Sequence, residues 1–122
     1  MRILIIDIDP AYEGLYRKKL AFSKFNLDFV KSIPEALKKF SKKKYDLVLI
    51  GHYLKNSSGV EACETLRAAG YQGNIIITAP GNHLKEIRAC YSNICEVINK
   101  GTNADDFIKI LKKYVPIMET TV

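Results

Sequence analysis

Apolar residues fall along the chain in short unbroken runs, separated by longer stretches where they recur every three or four positions. Ile3-Leu4-Ile5-Ile6, Leu47-Val48-Leu49-Ile50 and Ile75-Ile76-Ile77 are such runs. They predict central strands, because a parallel strand covered on both faces has no polar side. Asn26-Leu27-Asp28-Phe29-Val30 mixes polarity and predicts an edge strand, and Val97-Ile98 predicts a weaker fifth. Between them lie helical patterns. Residues 10–21 place Leu15 and Leu20 among Arg17, Lys18 and Lys19, with Gly14 weakening the helix by about 1 kcal/mol relative to Ala. Ser32 followed by Glu35 forms a capping box, and Leu37 and Phe40 then face inward. Residues 59–69 carry Val60, Cys63 and Leu66 at helical spacing, and residues 82–91 carry Leu84, Ile87 and Tyr91. Thr102 or Asn103 caps a last helix whose inner face is Phe107, Ile110, Leu111 and Tyr114, and Pro116 ends it.

Strand and helix thus alternate five times, which predicts an α/β domain with a doubly wound parallel sheet and right-handed crossovers. One domain spans residues 1–115, and residues 116–122 form a C-terminal tail. In such sheets the crevice beyond the carboxyl ends of the strands carries function, which singles out residues 7–9, 51–59, 78–82 and 99–102.

Composition narrows the classes without changing the fold. At 122 residues there is room for one core. An apolar content of 48% and a charged content of 26% are those of a folded domain rather than a disordered one. No apolar run approaches the ~18 residues of a membrane helix. The start of the chain lacks the apolar core of a signal peptide. Cys63, Cys90 and Cys95 have no C-x-x-C spacing and fit reduced thiols, so a cytoplasmic domain is expected.

The net charge of +6 concentrates at Lys38, Lys39, Lys42, Lys43 and Lys44, near the end of the second helix. The helix dipole favours cations there, and arginines and aromatics are not interleaved with them. A solvated face is expected rather than a nucleic-acid site. A glycine-rich phosphate loop of the G-x-G-x-x-G type is missing, which argues against a nucleotide or flavin enzyme.

Four segments at the strand ends resemble motifs of the response regulator receiver domain. Ile3-Leu4-Ile5-Ile6-Asp7-Ile8-Asp9-Pro10 resembles the family's opening I-L-I-V-D-D-D-P. The stretch from Asp46-Leu47-Val48-Leu49-Ile50-Gly51 to Ser58-Gly59 is similar to D-L-V-L-L-D-x-x-M-P-x-x-x-G. Ile75-Ile76-Ile77-Thr78-Ala79 resembles the fourth strand, and Asn99-Lys100-Gly101 the lysine that closes the fifth. The resemblance covers residues 2 to 115 and implies a flavodoxin-like, five-stranded sheet of order 2-1-3-4-5 with five helices.

It also implies a chemistry. In the family, two carboxylates after the first strand hold magnesium, and a carboxylate ending the third strand takes a phosphoryl group. A Thr and a Lys contact the phosphoryl oxygens. Magnesium suits oxygen ligands because it is small and hard, and it offsets the anionic charge of an acyl phosphate. Here Gly51 stands at the acceptor position and Ile8 at the second acidic position, while Asp7, Thr78 and Lys100 match. Asp9 falls where a carboxylate favours the start of the first helix. The expectation is a degenerate phosphorylation pocket of Asp7, Asp9, Gly51, Thr78 and Lys100, with no metal, no cofactor and no catalytic residue. Lys100, deprived of the acceptor, is expected to pair with Asp7, since a buried ammonium is costly without a partner. Val97 replaces the family's switch aromatic.

His52, Ser57 and Ser58 follow Gly51 and are alternative phosphate acceptors, with a polar turn the simpler reading. His83 has no catalytic or zinc spacing. Tyr91, Ile94, Ile108 and Val115 are candidates for a partner surface on the fourth helix, fifth strand and fifth helix, where receivers commonly meet partners or their own copies. The expected function is that of an atypical receiver in bacterial two-component signalling, acting by protein–protein interaction without aspartyl phosphorylation. Expected partners are signalling proteins such as a histidine kinase or an output domain, or a second copy. The alternatives are a receiver phosphorylated on another residue, or the regulatory domain of a DNA-binding transcriptional regulator.

Overall fold

The computed structural model describes residues 2–21, 24–54 and 56–114. Its elements in order are β1 (Arg2–Ile6), α1 (Pro10–Lys19), β2 (Asn26–Val30), α2 (Ile33–Lys42), β3 (Leu47–Gly51), β4 (Tyr53–Leu54), β5 (Ser57–Ser58), α3 (Gly59–Ala68), β6 (Asn74–Ala79), α4 (Leu84–Arg88), β7 (Glu96–Asn99) and α5 (Ala104–Lys112). The main sheet has five parallel strands in the order β2-β1-β3-β6-β7. The small antiparallel hairpin β4-β5 stands apart. With the hairpin left out, this is the expected order 2-1-3-4-5.

The continuous apolar runs have the predicted reason: alternate side chains fill two cores, one on each face of the sheet. Leu4, Ile6, Val48, Ile50, Ile75 and Ile77 pack against Ala36 of α2, Cys63 and Leu66 of α3 and Ile87 of α4. Ile3, Ile5, Leu49, Ile76 and Ile98 pack on the other face against Tyr16 of α1 and Phe107 and Leu111 of α5. Each fully buried Ile or Leu contributes roughly 1.5–3 kcal/mol through area removed from water.

Helix starts follow the sequence signals closely. Ser32 caps α2, its Oγ accepting from the Glu35 N–H at 3.3 Å. Glu35 reaches back to the Lys31 N–H at 2.8 Å, one residue beyond the reciprocal bond of an ordinary capping box. Asn103, rather than Thr102, caps α5 by accepting from the Asp106 N–H at 2.9 Å.

Two expectations need correction. Leu15 does not face the core and is 43% exposed. The inward stripe of α1 runs instead through Tyr12, Tyr16 and Leu20, spaced i, i+4, i+8. The fourth helix spans only Leu84–Arg88, not residues 82–91. His83 at its start makes no side-chain capping bond, and the N–H groups of Cys90 and Tyr91 donate three residues back, to Ile87 and Arg88, which closes the helix early. Val115, the stop at Pro116 and the tail 116–122 lie outside the described residues. Among the described residues no helix is long and apolar enough to cross a membrane.

Candidate functional site

Register and pleat together assemble the pocket. Ile3, Ile5, Leu49, Ile76 and Ile98 share the face of the sheet toward α1 and α5. The period of two then carries the same face on to Asp7, Gly51, Thr78 and Lys100. Ile6 pairs with Ile50, and Gly51 with Thr78, so these positions lie side by side at the carboxyl ends of β1, β3 and β6. Lys100 follows β7 and is anchored by its N–H, which donates to the Ala79 carbonyl at 3.0 Å. The four matched positions therefore meet in one place.

Lys100 Nζ donates to Asp7 Oδ2 at 2.6 Å, and the two side chains are 9% and 5% exposed. A charge pair this deep is held by more than Coulomb attraction. The Tyr12 ring lies over Lys100 Nζ at 3.7 Å from its centroid, within cation–π range. Asp7 Oδ1 accepts from the Asp9 N–H at 3.3 Å. Lys19 Nζ donates to the Lys100 carbonyl at 3.0 Å and lies over the Phe107 ring. Both charges thus have partners, as burial demands.

Thr78, buried at 1% exposure, has its hydroxyl engaged from α1: Tyr16 Oη donates to Thr78 Oγ1 at 3.1 Å. Burial pushes the Tyr16 phenol well above its usual range, and the neighbouring Asp7 charge adds to this, so Tyr16 stays a donor at neutral pH.

The acceptor's space is filled from the side. A Cβ built on Gly51 would lie 3.1 Å from Asp7 Oδ2 and 3.3 Å from Asp7 Cγ. The Asp7 carboxylate thus crowds the volume that a side chain at position 51 would need. Ile8 turns to the opposite face and packs on the core beside α2 and α3. Asp9 is exposed just before α1, its carbonyl accepting from the Tyr12 N–H. Among the described residues no group of three or more His, Cys, Asp or Glu is arranged to hold a metal ion.

The residues after Gly51 have structural duties. Ser58 caps α3, its Oγ accepting from the Glu61 N–H at 3.1 Å, and Ser57 is half-buried in the hairpin. His52 Nδ1 lies 2.9 Å from Tyr91 Oη, and its ring meets Tyr53 edge to face. Burial lowers the His52 pKa. The Tyr91 hydroxyl rests above Gly59, where a Cβ would come within 2.3 Å of it.

The candidate partner residues are engaged internally to different degrees. Tyr91 and Ile94 are half-buried against the core on the α2, α3 and α4 face, and Ile108 against the core on the α1 and α5 face, while Val115 lies outside the described residues. Among the described residues the large apolar side chains left exposed are Leu15 and Tyr53. Pattern reading overlooks Tyr12, Tyr16 and the His52–Tyr91 pair. The i, i+4 spacing of the two α1 tyrosines is the signal that finds the first two.

The sequence matches the model of the response regulator receiver domain over residues 3–112. The response regulator MprA of Mycobacterium sp. (strain KMS) is 24% identical over 108 residues, which cover 88% of this chain and 43% of that protein. The transcriptional regulatory protein ResD of Bacillus subtilis (strain 168) is 25% identical over 87 residues, 71% of this chain and 36% of that one. The chain spans less than half the length of these curated relatives. Among solved structures, the response regulator TrrA of Thermotoga maritima in complex with Mg(2+)-BeF superposes with a TM-score of 0.78 at 27% identity, covering 93% of this chain and 98% of that one. The signal receiver domain of an HD domain-containing protein from Pseudomonas fluorescens Pf-5 shares the fold, with a TM-score of 0.82 at 17% identity over 93% of this chain and 92% of that one. With the sheet order, the strand-end motifs and the match over residues 3–112 in agreement, the chain belongs to the response regulator receiver domain family.

Proposed function

We propose that this receiver works in two-component signalling as a phosphorylation-independent interaction module, a non-catalytic domain of the cytoplasm that passes its signal through protein contacts. The observation that carries the reading is the Asp7–Lys100 pair beside Gly51. The lysine that would meet an acyl phosphate is already neutralised at 2.6 Å, and position 51 has no side chain to phosphorylate. The residues present do not fit magnesium either. Of the family's three carboxylate positions, Asp7 alone keeps an acid, and its oxygens meet Lys100 Nζ and the Asp9 N–H. Tyr12 over Lys100 and Tyr16 on Thr78 support the same reading, since both matched phosphoryl contacts are engaged from α1.

The test is incubation with acetyl phosphate, or with beryllofluoride and magnesium, followed by intact mass and backbone NMR. The expected outcome is no mass increase and no shift at residues 7, 51, 78 and 100. A stoichiometric phospho-adduct would overturn the reading, and its position would decide whether His52, Ser57 or Ser58 serves as an alternative acceptor.

A second reading has its own support. A relative called a transcriptional regulatory protein, of which this chain spans 36%, favours a regulatory portion of a longer DNA-binding regulator. The phosphorylation-independent pocket is compatible with that arrangement. Histidine kinases, output domains and a second copy through α4, β7 and α5 are the partners such a module would meet.

A further inference from the structure

A cleft of about 500 Å³ lies between the start of α1, the end of β2 and the length of α2. Its two ends differ in charge because α2 returns antiparallel to the strands. Asp7, Asp9, Glu13 and Glu35 lie toward the strand ends with Lys31 among them, whereas Lys38, Lys39 and Lys42 line the cleft along the second half of α2 and Lys43 follows them. The half-buried Phe29 ring forms part of its wall, its position held by the Arg17 guanidinium at 4.6 Å.

Lys38, Lys42 and Lys44 are exposed, as expected of a solvated helix end, and Lys38, Lys39, Lys42 and Lys43 also line the cleft. Among the described residues Lys43 pairs with Asp28 at 3.2 Å, while no ion pair takes the ammonium groups of Lys38, Lys39 or Lys42. Lys38 and Lys42 are i, i+4 neighbours and Lys39 and Lys42 i, i+3 neighbours, a like-charge repulsion that Glu35, one turn before Lys38 and Lys39, and Asp28, which acts on Lys39, offset only in part. An anionic ligand in the cleft would relieve it.

From these charges we infer that the cleft is a docking site for an acidic peptide segment of a partner protein, with carboxylates against Lys38, Lys39 and Lys42 and one apolar side chain against Phe29. A volume of this size suits a few side chains. A nucleic-acid backbone fits less well. It carries a continuous line of phosphates, one charge per ~1.7 Å of duplex, and the acidic end of the cleft would repel it. A peptide can end its acidic run before reaching Glu13 and Glu35. The inference goes beyond the proposed function: Asp7 lines the acidic end of the cleft, but the docking contacts are those of Phe29, Lys38, Lys39 and Lys42.

The test titrates the full chain, labelled for backbone NMR, with a short synthetic peptide of glutamates flanking one leucine. Controls are the same peptide with glutamines and a DNA duplex of matched charge. Shifts are expected at residues 29, 38, 39 and 42, with the glutamine peptide silent. The exposed double substitution Lys38→Gln, Lys42→Gln should weaken binding at least tenfold, while Lys85→Gln, Lys112→Gln on other surfaces leaves it unchanged. Equal weakening by both double variants, no shifts in the cleft, or equal shifts with the duplex would each overturn the assignment. The acetyl phosphate experiment reads residues 7, 51, 78 and 100, so the two ideas fail separately.

Discussion

Asp7 Oδ2 accepts from Lys100 Nζ at 2.6 Å across a separation of 93 residues, joining the first strand to the loop after the last. Removing one partner leaves the other buried without a counter-charge. Lys100→Met should therefore cost about 3–5 kcal/mol in urea unfolding, and Asp7→Asn combined with it should cost clearly less than the sum of the two single changes. Additive losses would mean that the two groups do not act as a pair.

Restoring an acid at position 51 should not by itself restore the family's site. Gly51→Asp places a Cβ at 3.1 Å from the Asp7 carboxylate and adds a like charge. The expected cost is about 1–3 kcal/mol. Adding Ile8→Asp supplies the second acid, and magnesium should then stabilise the double variant by about 1.4 kcal/mol at tenfold excess over Kd, read as a higher melting temperature. The unaltered chain should show no such rise. Differential scanning fluorimetry with and without magnesium checks both.

Gly59 is required for close approach. A Cβ there would meet the Gly51 carbonyl at 2.9 Å and His52 Cα at 3.0 Å, both backbone atoms, as well as the Tyr91 hydroxyl. Gly59→Ala should destabilise by about 1–3 kcal/mol. Tyr91→Phe should not rescue it, because the backbone contacts remain; thermal melts of the single and double variants distinguish these outcomes.

His52 should make stability depend on pH. Its folded pKa lies below the ordinary 6.5 because burial disfavours the imidazolium. The unfolded chain therefore binds more protons in this window, and stability rises with pH. His52's contribution is fully present above pH 6.5 and declines as pH falls below that value toward the folded pKa. His52→Gln should flatten this part of the profile, measured by urea midpoints across pH 5 to 8.

The three thiols should react in a fixed order. Cys90 is exposed, whereas Cys63 is buried and Cys95 half-buried, and desolvation pushes the thiols of the latter two upward. A maleimide at neutral pH should label Cys90 first, with mass-mapped peptides giving the order.

Much of this was legible in the chain. The three continuous apolar runs are too short for buried helices and read as strands covered on both faces, and a parallel sheet with period-two alternation brings Asp7, Gly51, Thr78 and Lys100 to one end and one face. The Asp7–Lys100 pair followed from the family resemblance, which puts Lys100 in the crevice, together with the cost of a buried lone ammonium. What escaped was carried by amphipathic side chains. Tyr12 and Tyr16 present rings to the core and a cation or hydroxyl partner at their edges, so a pattern that scores leucine above tyrosine turned α1 by one position, to Leu15. The short α4 escaped because its closing bonds are backbone bonds, indifferent to side-chain identity. The cleft beside α2 depends on how that helix is set against α1, which no local pattern encodes.

One face of α1 carries the Tyr12 ring on Lys100, the Tyr16 hydroxyl on Thr78 and the Lys19 ammonium on the Lys100 carbonyl. Successive turns of a single helix thus grip two of the three side chains left in the pocket. The helix is the pocket's handle: any partner that tilts or slides α1 would move all three contacts at once, and in the module proposed above a signal would enter by that route.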